Sequence, residues 1–514
     1  MTTITRWLDD LARAGGDAPA LVEPGREPVS FAALTRRAGA LAGGLQAIGV
    51  RRGERIGVLL PNGIGAVEVF LAAGRLGAVV VGLNTRLRSD DLRHALDASG
   101  AGLLVSAAEF LGIDFRGVVS GALAGMEQRP RVVWPDELDR LRRGGERSPD
   151  APPGDLAAPA DLLVAFTTSG TTGRPKLAAH DHASVVRHAR AAARAMAIGP
   201  GDASLLELPL CGTFGLVTLL STLAGGGCTV IPARFDAGEA AMLVERHRVS
   251  HFNGSDDMLL AVLGTGADLG SWRQGVEAEF TSQGERAVAA AEAAGVRLTG
   301  VYGSSETFAL LARWSPGSPV DLRARNGGTL VDPAMSVRAV DTSGGRVLGP
   351  GLPGELQFAG PSVLGTYLGD EEATRRAFTD DGWFRSGDLG FTEADGRTFV
   401  YLSRLGDSLR LAGFLTDPAE IEERLLAHAG VVAAQVVGVP GPTGGDVAVA
   451  FVVAAGAVPT ESQLIDHCRA ALANYKVPRR VAVLRAFPTV DGPNGVKIRK
   501  ADLRQRAVRL LAQA

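Results

Sequence analysis

Apolar side chains recur along this chain at two spacings, and the alternation between them sets the expected architecture. Over residues 31–47 they fall at helical spacing and stop near Gly49. Residues 55–60 form a strand-length apolar run, 66–76 are helical again, and 78–81 make a second strand. Helices alternating with short buried strands imply a parallel sheet covered by helices. A stretch rich in Pro, Gly and charge over residues 142–160 reads as loop. The alternation resumes from His182 to about Val301, with strands expected at 205–208, 229–231 and 297–301. After Pro333 short strands and Gly/Pro turns, such as LGPGLPGE at 348–355, indicate a small β-rich subdomain. From about Gly406 the order is turn, helix (418–427), strand (431–439), strand (447–453), helix (461–473), strand, enough for a separate α+β domain. The expected fold class is therefore α/β: a large N-terminal domain, 1–405, of helix-covered parallel sheets with a β-rich subdomain, then a small α+β C-terminal domain, 406–514.

One stretch breaks this pattern. Directly after the apolar run Leu162 to Phe166 comes TTSGTTGRPK, Thr167 to Lys176, with five hydroxyl side chains and three glycines or prolines in ten residues. Gly170 and Gly173 let the backbone turn its N–H groups toward an anion. Thr168, Ser169, Thr171 and Thr172 add donors, and Lys176 adds a full positive charge. It is not a Walker loop, because Lys176 follows a proline rather than sitting in Gly-Lys-Ser/Thr. A solvated hairpin turn is the competing reading, but a turn needs neither five hydroxyls nor the lysine.

Composition narrows the function. At 514 residues and 46% hydrophobic content the chain can fill the cores of two or three domains. A net charge of −3 gives no reason to expect nucleic acid or an anionic membrane as partner. The N-terminal segment MTTITRWLDDLARAGG lacks an apolar signal-peptide core, and no run approaches a membrane span. Cys211, Cys228 and Cys468 are odd in number and far apart, which fits a reduced, cytoplasmic protein without a disulfide framework or zinc site. His180 and His182 alone have metal-like spacing, and two such histidines are more often loop residues than ligands. Arginine supplies nearly all positive charge: Lys176, Lys476, Lys497 and Lys500 are the only lysines. A chain so biased keeps lysine where a compact point charge is wanted, which makes Lys176 and Lys497 catalytic candidates.

Further motifs then fall into order: Tyr302-Gly303-Ser304-Ser305-Glu306-Thr307; GWFRSGDLG from Gly382 to Gly390, followed by Arg404; Gly413, Pro418 and Glu420; Tyr475-Lys476-Val477-Pro478; and Asn494-Gly495-Val496-Lys497-Ile498. Together with the glycine- and hydroxyl-rich loop they resemble the adenylate-forming superfamily of acyl- and aryl-CoA ligases, peptide-synthetase adenylation domains and luciferases, over nearly the whole chain from Phe31 to Arg504. The resemblance implies ATP, Mg²⁺ and CoA as cofactors and a small-molecule acid as substrate, and it leaves a homodimer open. It places Tyr302 against adenine, Asp388 on the ribose hydroxyls, and Arg404 on ribose or phosphate. It also places a hinge two residues after Arg404, at Gly406, about which a mobile C-terminal domain swings. Glycine suits a hinge, though an ordinary turn would carry one as readily.

The charges make the chemistry concrete. An anionic nucleophile must approach a phosphate already ringed by negative oxygens, and two unit charges ~4 Å apart repel by about 4 kcal/mol at an effective dielectric of ~20. Glu306 can present a hard oxygen to Mg²⁺, the loop donors can hold the leaving pyrophosphate, and Lys497 can neutralise the attacking oxygen and the α-phosphate. The acyl pocket departs most from relatives. Cys211 and Gly212 stand where an aromatic and a histidine are common, Asn253 to Asp257 replaces a Val-Pro turn, and Ser282-Gln283-Gly284 replaces Gly-Gly-Ala. Cys211, Gly212, Asn253, Asp256, Ser282 and Gly303 are the pocket candidates; an N-cap with a first-turn acid is the competing reading of Asp256 and Asp257. Arg410 replaces a lysine that serves the second half-reaction in relatives. The leading expectation is a ligase that adenylates a small polar or aromatic carboxylic acid and transfers it to CoA. A diazotase-like enzyme that adenylates nitrite and delivers it to an aryl amine, adenylation for a carrier protein, and a non-catalytic nucleotide sensor are the alternatives.

Overall fold

The computed structural model describes residues 1–146, 154–168, 176–281, 283–405, 409–411, 414–416, 418–441, 446–456, 458–472, 474–492 and 495–512. They form two compact units. One comprises Met1–Ala278, Gly284–Ser336 and Ala359–Phe384; the other comprises Glu279–Gln283, Val337–Phe358 and Arg385–Ala514.

The first unit holds two sheets. One has seven strands in the order Thr366–Tyr367, Leu177–Asp181, Leu162–Thr167, Val79–Gly82, Arg55–Leu59, Leu103–Ser106, Arg131–Val133. The last five run parallel, and the first two are antiparallel to their neighbours. In the other sheet six strands run parallel: Pro19–Val22, Cys228–Val230, Ala203–Leu205, His251–Phe252, Gln274–Ala278 and Arg297–Tyr302. The helix Thr213–Ala224 is buried from Thr213 to Leu223, so it has no polar face to give to solvent. Its leucines join Phe70 and Leu71 of the helix Ile64–Leu76, Val185 and Val186 of the helix His182–Ala195, and Phe166 and Leu206 from the two sheets in one continuous core. The helix-covered parallel sheets expected from the apolar spacing are therefore present.

Three local readings change. The strand expected at 205–208 runs over Ala203–Leu205, and Leu206 continues it with one more bond, its N–H donating to the Val230 carbonyl. The loop expected over 142–160 begins inside a helix, Pro135–Glu146. That helix crosses the helix Phe31–Ala47 at backbone contact distance, because a Cβ on Gly44 would lie 2.7 Å from the Leu141 carbonyl carbon, and one on Gly145 would strike the Ala40 carbonyl. Gly44, inside an expected helix, and Gly145, inside the expected loop, are together what allow the crossing. The pair His180 and His182 lies in no loop either: His180 is on the strand Leu177–Asp181, and His182 opens the following helix. Among the described residues no cluster of His, Cys, Asp and Glu could hold a metal.

The second unit contains the β-rich segment, with strands Ser336–Val340, Gly354–Ala359, Phe384–Thr392 and Thr398–Arg404 lying largely within it, followed by an α+β region. In the latter, Asp446–Ala454 pairs antiparallel with Val431–Pro440 and parallel with Arg480–Leu484, and the helices Pro418–Leu426 and Glu461–Arg469 pack on this sheet. A capping box between Thr460 and Gln463 starts the second helix, which ends at Arg469, short of the expected 473. Among the described residues no helix is long and apolar enough to cross a membrane.

Candidate active site

The strand Arg297–Tyr302 ends in the turn that carries Glu306. Tyr302 is buried at 6% exposure, and its carbonyl accepts the Leu311 N–H at 2.8 Å. Ser304 and Thr307 close a capping box around the single 3₁₀ turn Ser305–Thr307, with the Ser304 N–H donating to Thr307 Oγ1 at 3.0 Å. The chain then passes through three non-glycine residues with positive φ, Phe308 (60°), Ala309 (50°) and Leu310 (32°). Such backbone persists only when its surroundings over-determine it. Here they do: the Phe308 ring sits edge-on to His180, His188 and Phe166, with centroids 5.0, 5.6 and 5.7 Å away. Gly303 packs directly on this segment, since a Cβ there would lie 2.6 Å from Ala309 Cα. Gly303, a pocket candidate from sequence, is thus required by the turn itself.

Residues outside the turn fix its two ends. His180 Nε2 lies 2.7 Å from the Ser305 carbonyl oxygen; burial pushes the imidazole down to about 4, so near neutral pH it is uncharged and Nε2–H donates. The Leu364 N–H donates to the Glu306 carbonyl at 2.7 Å. Glu306 Oε1 accepts from the Tyr367 phenol at 2.9 Å, and the Lys176 ammonium lies 4.9 Å from the centroid of the same Tyr367 ring. Tyr367 and His180 were not among the candidates from sequence.

Lys176 reaches Tyr367 because the glycine- and hydroxyl-rich stretch joins a β-hairpin. Leu162–Thr167 and Leu177–Asp181 pair antiparallel, and the Thr168 N–H donates to the Lys176 carbonyl at 2.8 Å. The paired strands carry the ends of the stretch to one place, and the turn itself, on which the phosphate and solvated-turn readings differ, lies outside the described residues. Ser169, Gly170, Thr171, Thr172 and Gly173 lie outside the described residues.

In the second unit Asp388 and Arg404 face each other across the strands Phe384–Thr392 and Thr398–Arg404. Arg404 Nε lies 3.1 Å from Asp388 Oδ1, the aspartate buried and the arginine side chain half exposed. The Asp388 N–H donates to Ser386 Oγ at 3.0 Å. A positive φ of 68° at Gly387 aims the Asp388 backbone into this arrangement. Lys476 closes two bonds on Glu420, at 2.6 and 2.8 Å. Lys497 is on the strand Gly495–Ile498, and its side chain, like that of Arg410, is outside the described part of the structure; Gly406, Gly413 and Asn494 are outside it altogether.

The pocket candidates separate. Asn253 is buried with both ends of its amide committed: Nδ2 donates to Thr218 Oγ1 at 3.1 Å, and Oδ1 accepts the Val276 N–H at 3.0 Å. It ties a helix to a strand as framework. Asp256 is fully buried as the first residue of the helix Asp256–Leu263 and accepts the Asp257 N–H at 3.0 Å; the N-cap residue is Ser255, not an aspartate. Ser282 lies outside the described residues. Cys211 lines an apolar cavity of about 30 Å³ with Phe70, Phe166, Leu210 and Leu219, and the surrounding protein pushes its thiol up to about 12, far from a thiolate nucleophile. Gly212 opens the helix Thr213–Ala224 with its N–H on the Pro209 carbonyl, and Asn62 clamps the turn before it through the Leu208 carbonyl (3.0 Å) and the Leu210 N–H (2.9 Å).

Comparison with known proteins gives the family. The family model of AMP-binding enzymes matches residues 8–368, and that of the AMP-binding enzyme C-terminal domain matches 420–491. The chain is 34% identical to a feruloyl-CoA synthase of Amycolatopsis sp., over 97% of its own length and 98% of that protein's. It is 32% identical to the sulfoacetate–CoA ligase of Cupriavidus necator, over 96% and 95%. Among solved structures, the amide bond synthetase McbA of Marinactinospora thermotolerans superposes with a TM-score of 0.85 at 26% identity, over 98% of this chain and 99% of that one.

Proposed function

Since the chain belongs to the AMP-binding enzyme family, we propose that it uses ATP to adenylate a small, preferably aromatic, carboxylic acid, releasing pyrophosphate, and passes the acyl group to CoA. The observation that supports this reading is that Lys176 and Glu306, a cation and a carboxylate of the kinds that phosphate and its metal require, both contact Tyr367. Glu306 fits Mg²⁺, because a half-buried carboxylate with one oxygen already oriented offers a hard, fixed ligand, and Mg²⁺ keeps most of its waters beside one or two carboxylates and the substrate phosphates. When bound, the ion neutralises charge on the leaving pyrophosphate. Thr168, Ser169, Gly170, Thr171, Thr172 and Gly173 donate to the phosphates with Lys176. Tyr302, Gly303 and Ser305 border the adenine, Asp388 accepts from the ribose hydroxyls, and Arg404 contacts ribose or phosphate. Lys497 meets the attacking oxygen. The boundary at 405/406, with Gly406 as hinge, lets residues 406–514 present Lys497 for the first half-reaction and withdraw it for the second.

The preference for an aromatic acid rests on Asn253 being spent on framework bonds and on the likeness to a feruloyl-CoA synthase. The sulfoacetate–CoA ligase among the relatives keeps a small polar acid in the panel. Likeness to an amide bond synthetase, with Arg410 in place of a lysine, supports a second reading in which an amine accepts the acyl group. Pyrophosphate release scored over aromatic acids, sulfoacetate and nitrite, each with CoA, with aryl amines and with neither, decides among these. The expected result is turnover with an aromatic acid that completes only with CoA. Release with nitrite alone would move the chain to diazotase chemistry. Lys497→Ala should slow release about 10²-fold with ATP binding little changed, the loss expected of one transition-state charge partner.

A further inference from the structure

We propose that Tyr367 is a positioning residue that holds the two charged groups of the site apart and aims both of them; the proposal rests on the reading of Glu306 as metal ligand and Lys176 as phosphate contact. Tyr367 lies on the two-residue strand Thr366–Tyr367, paired antiparallel so that Tyr367 stands opposite Ala178, two residues beyond Lys176. Its backbone is pinned: the N–H donates to Thr374 Oγ1 at 2.9 Å, and that hydroxyl donates in turn to the Asp370 carbonyl at 2.8 Å. The residue is buried at 6% exposure, which restricts the ring to its present packing. From this fixed ring the phenol donates to Glu306 Oε1, and the ring lies 4.9 Å from the Lys176 ammonium.

The chemistry follows from what each contact leaves over. A carboxylate has about four lone-pair sites; one phenol bond fixes its rotation and leaves the second oxygen to meet a cation. The aromatic face attracts the ammonium more weakly than a carboxylate would in a dry site, so Lys176 is held close yet released readily to a phosphate. Without their contacts to Tyr367, Lys176 and Glu306 are long, flexible and oppositely charged, and their direct pairing would cancel the two charges that substrate and metal require. The turn alone cannot prevent this, because His180 and Leu364 fix only its backbone.

Two substitutions separate the two contacts. Tyr367→Phe keeps the ring and deletes the hydroxyl; Tyr367→Leu deletes both. Mn²⁺ binding, read by electron paramagnetic resonance with a non-cleavable ATP analogue, should weaken about 10-fold in Tyr367→Phe, the loss expected for one hydrogen bond to a charged group. Metal-free binding of the same analogue, read by calorimetry, should match wild type in Tyr367→Phe and weaken about 3-fold in Tyr367→Leu, because Lys176, no longer held on the ring, pairs with Glu306 instead. In a Glu306→Gln background Tyr367→Phe should cause no further loss of Mn²⁺ affinity. Wild-type Mn²⁺ affinity in Tyr367→Phe, while Glu306→Gln weakens it, overturns the proposal and leaves the metal reading intact. Wild-type affinity in both removes the metal reading and this proposal with it. Equal metal-free binding in the two Tyr367 variants overturns the role of the ring. Tyr367→Phe fills the same space and decides the matter alone if Tyr367→Leu does not melt as a folded protein.

Discussion

Two glutamates stand just beyond the ends of parallel strands in the same sheet, and they have opposite fates. Glu306 follows Arg297–Tyr302, is half-buried, and receives the Tyr367 phenol on one oxygen. Glu207 follows Ala203–Leu205, is 6% exposed, and among the described residues neither of its oxygens has a hydrogen-bond partner. Burial, with Glu239 and Asp236 nearby, pushes Glu207 up to about 8, so at neutral pH it is mostly the uncharged acid. Strand ends of open α/β sheets are where ligands gather, but the contrast shows that the position alone does not make a site. What separates the two is aim. Glu306 is held by Leu364 and Tyr367 and its turn by His180, whereas Glu207 is left against the first turn of the helix Ala237–His247, whose N-cap Asp236 and first-turn Glu239 repel its charge.

The largest effect expected is therefore an asymmetry between matched substitutions. Glu306→Gln should cut pyrophosphate release about 10²-fold at limiting Mg²⁺ and recover in part as Mg²⁺ is raised, because shape is kept and charge is lost. Glu207→Gln should leave the rate within about 2-fold at every Mg²⁺ concentration, as befits a group already neutral and far from any ligand role. A Mg²⁺-dependent loss in Glu207→Gln would mean the wrong strand end has been chosen.

A smaller effect probes the backbone beneath each glutamate. In Gly303→Ala the new Cβ meets Ala309 Cα at 2.6 Å, so the left-handed segment behind Glu306 must move; a loss of about 1 to 3 kcal/mol in stability and roughly 10-fold in rate is expected. Gly238, in the first turn beside Glu207, has only Asp236 Oδ1 at 3.4 Å from such a Cβ, and Gly238→Ala should be neutral or stabilising by up to about 1 kcal/mol. Equal melts and rates in the two variants would show that the Phe308–Leu310 segment is not under constraint.

Much of this was legible from residues alone, and the part that was not has a common cause. Helices and strands of the first unit follow their apolar spacing, because a sheet buried on both faces leaves no other pattern. Glu306, Asp388 and Arg404 stood out as candidates because the motifs around them resemble those of a known family. Tyr367 did not. Its function depends on strand register across a separation of many residues, and a two-residue strand leaves no periodicity to read. His180 left a faint signal, a histidine directly after the apolar run from Leu177 to Ala179, but its spacing to His182 reads more readily as a pair of loop residues. Asn253 shows the opposite case: a polar side chain in a departure from relatives looks like pocket lining, whereas the fold spends its amide on Thr218 and on the Val276 N–H.

The smallest effect expected concerns stability at the glutamate that is not a site, and its pH dependence carries the sign. Glu207 ionises near its ordinary value of 4.5 when unfolded and near 8 when folded. Between those values the folded chain holds a proton the unfolded chain has released, so stability falls as pH rises from about 4.5 to about 8 and levels off beyond. Below 4.5 both states are protonated and the penalty is absent. Glutamine is uncharged throughout, so Glu207→Gln should be more stable than wild type by on the order of 1 to 3 kcal/mol at pH 8, and the advantage should vanish toward pH 4.5. Chemical denaturation of both proteins at pH 5, 6.5 and 8 gives the difference directly. A difference that does not change with pH would mean that Glu207 finds a charge partner in solution, and the contrast with Glu306 would then have to rest on Tyr367 alone.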